Sequence, residues 1–222
     1  MNKLIVKKAA VLGAGVMGAQ IAAHLANANV PVVLFDLPAK DGDKNGVVKK
    51  ALDGLKKLDP APLSSKGKLK FIDAANYDEH LSLLAECDLV IEAIAERMDW
   101  KNDLYAKIAP FLSSTAIIAS NTSGLSMNAL ALGLPEAVRP RFCGIHFFNP
   151  PRYMHLVEII GTQSTDGSTL DALETWLTSR LGKGVIRALD TPNFVANRIG
   201  VFSILAVMHH TQAFGLGFDE VD

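Results

Sequence analysis

The sequence predicts an α/β fold: a doubly wound, mostly parallel sheet, followed by the first helix of a second domain that is all-α. Three observations predict it. Short apolar runs alternate with segments of helical spacing, a glycine-rich turn follows the first run, and the alternation stops at "DTPNF" (190–194). Such alternation places helices on both faces of a parallel sheet. We therefore assign residues 1–190 to the sheet domain and residues 191–222 to the start of a truncated helical domain.

The first unit of the predicted sheet is a strand, a helix and a second strand in direct succession. Residues 8–13 form a short apolar run, residues 16–28 have helical spacing, and residues 30–36, "VPVVLFD", are rich in β-branched side chains. The turn between the first strand and the helix carries three glycines at the spacing G-x-G-x-x-G. This is the context that the pattern needs to indicate a Rossmann-type domain.

The remaining elements continue the alternation up to the break at residue 190. We predict the further helices at residues 43–58, 78–86, 99–111 and 169–181, and the further strands at 69–73, 87–94, 115–120, 141–148, 155–161 and 184–189. Beyond the break, residues 195–214 form one apolar helix. A lone helix with that much apolar surface cannot bury it by itself, so we expect it to begin a helical domain.

Composition and charge narrow the range of partners. The net charge of −1 argues against nucleic acid as a partner. Residues 9–35, 108–135 and 199–218 lack formal charges, yet each contains turn residues or a polar centre, so we expect protein interior and no membrane insertion. Cys87 and Cys143 lie in apolar runs. Buried free thiols suit a reducing compartment, and we expect a cytoplasmic protein.

The glycine turn predicts a dinucleotide site. Gly13 permits the tight turn, Gly15 lets the backbone approach a pyrophosphate, and Gly18 lets the helix pack closely against the strand. Val16 and Met17 lie at the start of the helix, where free N–H groups and the positive end of the helix dipole face the phosphates. We assign all five to cofactor binding. A purely structural glycine turn is the alternative.

Asp36 ends the second strand and predicts which dinucleotide binds. A carboxylate at this position accepts hydrogen bonds from a ribose 2′-hydroxyl and repels a 2′-phosphate. NAD is therefore favoured over NADP. FAD uses the same glycine pattern and is a further alternative.

His146 and Glu158 lie at equal distances from Arg152, the centre of a proline-rich segment between two predicted strands. If those strands form a hairpin, the two side chains become cross-strand neighbours. A carboxylate beside an imidazole selects its tautomer and stabilises its protonated form. The pair would suit removal of a proton from an alcohol. The alternative is an ion pair that only stabilises the strand ends.

Five motifs occur together and in order: "GAGVMG", "SNTSG", "GIHFFNP", "LVEII" and "DTPNFVANRIG". With them, essentially the whole chain resembles the 3-hydroxyacyl-CoA dehydrogenase family. The resemblance implies oxidation of L-3-hydroxyacyl-CoA to 3-oxoacyl-CoA with NAD in fatty-acid β-oxidation. We expect no metal site: His209 and His210 are adjacent and so point in different directions on a helix, whereas a metal needs convergent ligands.

The resemblance assigns roles to individual residues. His146 is expected to be the catalytic base and Glu158 its orienting partner. Ser123 is expected to contact the substrate oxygen and the nicotinamide, and Asn197 the substrate near its thioester. The residues expected to contact the cofactor besides those of the glycine turn are Glu96, Lys101, Asn121, Ser123 and Asn149.

The lysine pairs 49–50 and 56–57 lie seven residues apart. The family binds the phosphates of coenzyme A in this region, so Lys56 and Lys57 are candidate substrate ligands. A solvated charged face explains the same spacing equally well.

In full-length family members the helical domain closes the acyl site and forms the dimer. We therefore expect a homodimer, or self-association through the C-terminal helix. The sequence most resembles bacterial members that carry a crotonase-like domain further along the chain. Two alternatives for function stay open at this point: an NAD-binding module without turnover, and a dehydrogenase of a hydroxy acid that is not linked to CoA.

Overall fold

The structure, a computed structural model, describes residues 4–221. Its strands are β1 (Ala9–Leu12), β2 (Val32–Asp36), β3 (Ile72–Asn76), β4 (Leu89–Glu92), β5 (Ile117–Ser120), β6 (Phe142–Phe147), β7 (Leu156–Gly161) and β8 (Gly184–Ala188). Its α-helices are α1 (Val16–Asn27), α2 (Gly46–Leu55), α3 (Met98–Ile108), α4 (Met127–Leu132), α5 (Gly167–Leu181), α6 (Ala196–Phe214) and α7 (Phe218–Val221). Short 3₁₀ helices cover Lys66–Phe71, Leu81–Glu86, Ala109–Phe111 and Arg139–Arg141.

The strands form one sheet in the order β3-β2-β1-β4-β5-β6-β7-β8. The pairings are parallel except that β6 pairs antiparallel with β7. The strand order reverses between β1 and β4, so a crevice opens there beyond the carboxyl ends of the strands. The predicted doubly wound, mostly parallel α/β fold is confirmed.

Strand β1 is apolar at every position and β2 is apolar up to Asp36, as expected for strands with helices on both faces of the sheet. Val11 of β1 belongs to the core beneath α1, whereas its neighbour Leu12 belongs to the core that includes residues of α3 and α4. All four residues of β1 are completely buried. A strand that is buried on both faces has a continuous run of apolar residues in its sequence, and this run predicts β1 and β2.

Several predicted elements differ from the structure in type or extent. Residues 78–86 were predicted to be an α-helix, but Leu81–Glu86 is a 3₁₀ helix. The strand predicted at 69–73 begins only at Ile72. Helix α2 ends at Leu55, so Lys56 and Lys57 lie in the turn after it and not on its face. Helix α4 was not predicted, because six residues are too few to show helical spacing.

The C-terminal helix α6 forms as predicted, and it has no buried residue. Phe202 and Phe214 each expose about seven-tenths of their surface. In the described range, residues 4–221, no helix combines the length and the apolar character that crossing a bilayer requires. Both cysteines are buried free thiols, as predicted, and burial raises the pKa of each to about 12.

His24 of α1 is a buried histidine that no sequence pattern marked. It is 8% exposed, and neither ring nitrogen has a hydrogen-bond partner among the described residues. Burial lowers its pKa to about 4, the nearby Lys183 ammonium adds to this shift, and the Leu181 carbonyl opposes it. Between about pH 4 and pH 6.5, the folded protein therefore holds this ring neutral, whereas the unfolded chain would protonate it.

We predict that acidification destabilises the fold through His24. The folded-state pKa lies below the unfolded value of about 6.5, so stability present above pH ~6.5 is lost as the pH falls towards 4. The loss attributable to His24 is at most about 3 kcal/mol. Urea unfolding of the parent and of His24→Gln between pH 7 and pH 4 measures it. His209→Gln, on exposed α6, is the control; a parent-like pH slope in His24→Gln would contradict the prediction.

Candidate active site

The candidate site lies at the carboxyl ends of β1, β2, β4, β5 and β6. Parallel strands bring these ends to one edge of the sheet, next to the point where the strand order reverses. The glycine turn follows β1, Asp36 ends β2, and the "SNTSG" segment follows β5. His146 lies near the end of β6. The edge therefore gathers most of the residues that the sequence marked.

The glycine turn has the geometry of a close-approach site. Gly13 has φ of +106°, and a Cβ there would lie 2.7 Å from the carbonyl oxygen of Ala93. A Cβ on Gly18 would lie 1.8 Å from the carbonyl oxygen of Gly13, so the helix packs directly on the turn. By contrast, a Cβ on Gly15 would meet no atom within 4 Å. Two glycines are needed for packing, and the third leaves space in front of α1.

The space in front of α1 suits a pyrophosphate. Gly15 caps the helix with no side-chain hydrogen bond, and Val16 is 70% exposed while Met17 is half-buried. The first N–H groups of the helix are thus available, and the dipole end is positive. The residues present therefore fit the phosphate part of a dinucleotide.

Asp36 accepts two backbone hydrogen bonds, one from the glycine turn and one from its own neighbour in the chain. Its Oδ2 accepts from the N–H of Ala14 at 2.6 Å, and its Oδ1 accepts from the N–H of Leu37 at 2.7 Å. Each carboxylate oxygen can accept a further hydrogen bond. The carboxylate is therefore oriented beside the turn with acceptor capacity left for ribose hydroxyls.

His146 and Glu158 are cross-strand partners in the antiparallel β6–β7 pair, as the hairpin prediction required. The imidazole Nδ1 lies 2.6 Å from Glu158 Oε2, and the residues are 3% and 0% exposed. An ionised carboxylate only accepts, so Nδ1 carries the proton. The lone pair of the neutral ring is then on Nε2, which lies 3.0 Å from Ser123 Oγ. Ser123, which is exposed, donates that bond.

Glu96 organises the loop that carries Ser123. Its Oε1 accepts from the hydroxyl of Thr122 and from the N–H groups of Ser123 and Gly124, both at 2.9 Å. Burial would raise the pKa of Glu96, but these bonds and the Lys101 ammonium outweigh it, and the net shift is downward. The carboxylate predicted to contact the cofactor thus also holds the serine loop.

Lys101 lies beneath this loop in a buried polar cluster. Its ammonium is 2.5 Å from Glu92 Oε1 and 3.7 Å from Glu96 Oε2, and the residue is 1% exposed. Glu92 also accepts from Ser120 Oγ at 2.6 Å and Tyr105 OH at 3.0 Å. Burial and the Glu92 charge raise the pKa of Tyr105. Buried charges need this degree of pairing. The sequence analysis did not predict a role for Glu92.

Two asparagines predicted to contact the cofactor lie at the same edge. Asn121 Oδ1 accepts from the N–H of Phe147 at 2.9 Å and so ties the end of β5 to the end of β6. Asn149 is exposed, and its Oδ1 accepts from Gln20 Nε2 of α1 at 3.3 Å. Asn149 therefore connects the proline-rich turn after β6 to the helix that begins at the glycine turn.

The residues predicted for substrate binding divide into two groups. Asn197 is half-buried in the first turn of α6, the helix whose first N–H groups contact Glu158. Lys56 is paired with Asp53 at 2.7 Å, and Lys57 is exposed in the turn after α2. The contacts of these lysines within residues 4–221 are with α2, and not with the cluster around His146.

Asp190 is an organising residue that sequence reasoning missed. Its carboxylate accepts from Ser126 Oγ at 2.8 Å, from the N–H groups of Met127 and Asn128 at 2.9 Å, and from Asn128 Nδ2 at 2.6 Å. Burial would raise the pKa of Asp190, but these bonds lower it overall. The residue joins the start of α4 to the segment before α6. An aspartate shortly after the last strand, at the break in the alternation of strands and helices, was the available signal.

The chain resembles known proteins in both sequence and fold. Residues 8–191 match the family model described as 3-hydroxyacyl-CoA dehydrogenase, NAD binding domain. A Deinococcus radiodurans relative named "Probable 3-hydroxyacyl-CoA dehydrogenase" is 45% identical over 98% of the chain, which spans 63% of the relative's length. A Rickettsia prowazekii relative, named for a fatty acid oxidation complex trifunctional enzyme, is also 45% identical over 98% of the chain, which spans 30% of its length. A crystal structure of (S)-3-hydroxybutyryl-CoA dehydrogenase from Ralstonia eutropha superimposes with a TM-score of 0.82, at 31% identity, covering 98% of this chain and 76% of that one.

We predict that Asp190→Asn lowers the free energy of unfolding by about 1.5–3 kcal/mol, because the lost bonds are made to a charged acceptor. The charge on Asp190 stabilises the fold only while it is ionised, since its folded-state pKa is lowered. The difference between parent and variant should therefore shrink as the pH falls below the usual carboxyl range. Urea unfolding at neutral and acidic pH measures both effects. Asp171→Asn, which breaks an exposed pair with Arg187, is the control and should cost less than about 1 kcal/mol.

Proposed function

The chain belongs to the 3-hydroxyacyl-CoA dehydrogenase family, and we propose that it oxidises an L-3-hydroxyacyl-CoA to the 3-oxoacyl-CoA with NAD. The observation that carries this proposal is the His146 ring, which contacts Glu158 through one nitrogen and the exposed Ser123 hydroxyl through the other. The ring lies at the sheet edge that holds the glycine turn. The relatives named above are longer than this chain, so the activity is proposed for the whole protein.

The residues around the glycine turn suit NAD, and the family model matched is that of an NAD binding domain. Gly15 leaves open space before α1 for the pyrophosphate, and Asp36 offers acceptors to the ribose. NAD, when bound, supplies a nicotinamide ring that accepts a hydride from the carbinol carbon of the substrate. We assign the nicotinamide end of the site to Ser123, Asn121 and Asn149. Glu96 and Lys101 are proposed as further cofactor-binding residues, next to the loop of Ser123.

His146 is proposed as the base that takes the hydroxyl proton. The Nε2 lone pair points to the space occupied by Ser123 Oγ, so a substrate hydroxyl beside Ser123 would lie within reach of both. As the ring becomes protonated, the buried Glu158 carboxylate stabilises the positive charge. A positioned general base of this kind contributes about 10²–10⁴-fold to a rate.

The remainder of the substrate would lie towards α6. Asn197, in the first turn of that helix, is proposed to contact the substrate near its thioester. Lys56 and Lys57 are proposed to bind phosphates of coenzyme A, with a solvated charged surface as the alternative. The exposed apolar surface of α6 supports the proposal that this helix takes part in a homodimer or in self-association.

The proposed setting is fatty-acid β-oxidation in the cytoplasm. The name of the Rickettsia prowazekii relative, with its fatty acid oxidation complex, supports the pathway. We also propose domain bounds of 1–190 and 191–222, since Asp190 and the turn after it separate the sheet from α6.

A second candidate function is NAD binding without turnover. It is favoured by the surface of α6, the helix that carries Asn197, which has no buried residue. Steady-state oxidation of 3-hydroxybutyryl-CoA by the chain, alongside calorimetric titration with NAD, separates the two functions. Binding without oxidation would support the second. Equal rates on free 3-hydroxybutyrate would indicate a hydroxy-acid dehydrogenase instead.

We predict that Asp36→Ala weakens NAD binding by about 10- to 100-fold, because bonds to a charged acceptor are lost. NADP binding should not weaken, since the variant also removes repulsion of the 2′-phosphate. Titration with both dinucleotides measures the ratio of their affinities. Asp41→Ala, in the exposed loop after β2, makes the same change in charge and should leave the ratio unaltered. Equal affinity of the parent for NAD and NADP would overturn the role of Asp36.

We predict that His146→Gln lowers kcat by about 10²–10⁴-fold, the range for loss of a general base. Glu158→Gln should lower kcat too, because its amide would donate to Nδ1 and favour the tautomer with the proton on Nε2. His155→Gln, an exposed histidine beside the same turn, is the control. Near-normal turnover in His146→Gln would refute the mechanism.

A further inference from the structure

Glu158 has a second set of partners besides His146. Its Oε1 accepts from the backbone N–H groups of Val195 and Ala196, both at 2.9 Å, while its Oε2 faces His146 Nδ1 at 2.6 Å. The residue is completely buried. Donors on both oxygens fix the plane of the carboxylate. With His146 alone, only one of the two oxygens would be held.

We propose that the first N–H groups of α6 position Glu158 for His146, so that this helix is a working part of the catalytic pair. The proposal rests on the proposed role of His146 as a base. Val195 and Ala196 are positioning residues, because they act on His146 only through Glu158. Their contribution comes from the backbone, so no side-chain pattern in the sequence could reveal it.

The N–H groups face Glu158 because of the turn before the helix. Asn193 and Phe194 have φ of 63° and 48°, a conformation that few non-glycine residues adopt. Phe194 is 2% exposed, and its ring centroid lies 5.7 Å from that of His146. Asp190 holds the other end of this segment through α4. The segment 190–196 is thus anchored at both ends against the site.

The start of a helix is a suitable place for such donors. The first N–H groups of a helix have no partner within it, and α6, with 19 residues, adds the positive end of its dipole. Both effects favour an ionised carboxylate. A movement of α6 away from the sheet would remove both donors at once and free Glu158 to rotate. Because Asn197 lies in the same turn, one helix would couple substrate contact to the state of the base.

The test replaces single amides by esters, which removes one N–H and keeps the side chain. Ala196→lactic acid removes one donor to Glu158, and Val195→2-hydroxyisovaleric acid removes the other. Ala206→lactic acid, within α6, is the matched control, since it makes the same chemical change and costs one bond inside the helix. The readout is the exchange with water of the His146 Nδ1 proton, followed by NMR in the absence of substrate.

Exchange of this proton requires that the bond to Glu158 opens. A hydrogen bond to a charged group changes an equilibrium constant by roughly tenfold or more. If the bonds from α6 hold Glu158 in place for His146, each ester should increase the population in which the His146–Glu158 bond is open, and so the exchange rate, by about 10-fold. Both esters together should increase it further. The Ala206 ester should leave exchange unchanged. An unchanged rate in both the Val195 and Ala196 esters, or an equal rise in the control, would overturn the inference. Absence of dehydrogenase activity in the parent would overturn the proposed function instead, since the exchange measurement uses no substrate.

Discussion

The antiparallel pairing of β6 with β7 is the constraint on which the site depends. In an otherwise parallel sheet, this pairing returns the chain so that Glu158 lies directly opposite His146. A parallel pairing would have required a longer crossover connection between the two strands in place of the turn. The hairpin instead sets their distance by register, and both residues are covered by the helices and loops at the sheet edge. The tautomer of the ring, and with it the nitrogen that is free to act as a base, follows from this one pairing.

Four carboxylates then hold the segments around that pair in place. Glu92 collects Lys101, Tyr105 and Ser120 beneath the sheet edge, and Glu96 holds the loop of Ser123. Asp190 caps α4, and Glu158 accepts from the start of α6. Each accepts hydrogen bonds from several donors, among them backbone N–H groups. Burial of a charge is costly unless it is paired and hydrogen-bonded, so the completely buried Glu92 and Glu158 tolerate only a narrow range of arrangements around them. Hydrogen bonds to all four carboxylates connect the loops at the site.

The apolar helix α6 contrasts with this well-satisfied edge. Its first turn is fastened to Glu158, whereas the rest of its surface contacts little of the sheet. The chain spans 63% of the Deinococcus radiodurans relative and 30% of the Rickettsia prowazekii relative. The two parts of the helix therefore differ in character. Its beginning donates hydrogen bonds to Glu158, whereas its apolar continuation would gain about 1.5–3 kcal/mol for each large side chain that became buried.

The sequence by itself determined the features that depend on local spacing. The glycines with Asp36 lie within one strand–helix–strand unit, and His146 with Glu158 lie within one hairpin, so spacing alone predicted both groups. Only the tertiary structure decided the partners of Glu92, Glu96 and Asp190, because their bonds join segments up to 64 residues apart. Apolar periodicity reports which face of an element is buried, but it does not identify what covers that face. For the same reason the backbone donors of α6 could not be predicted: a main-chain N–H is the same at nearly every position, and only the fold decides which carboxylate it meets.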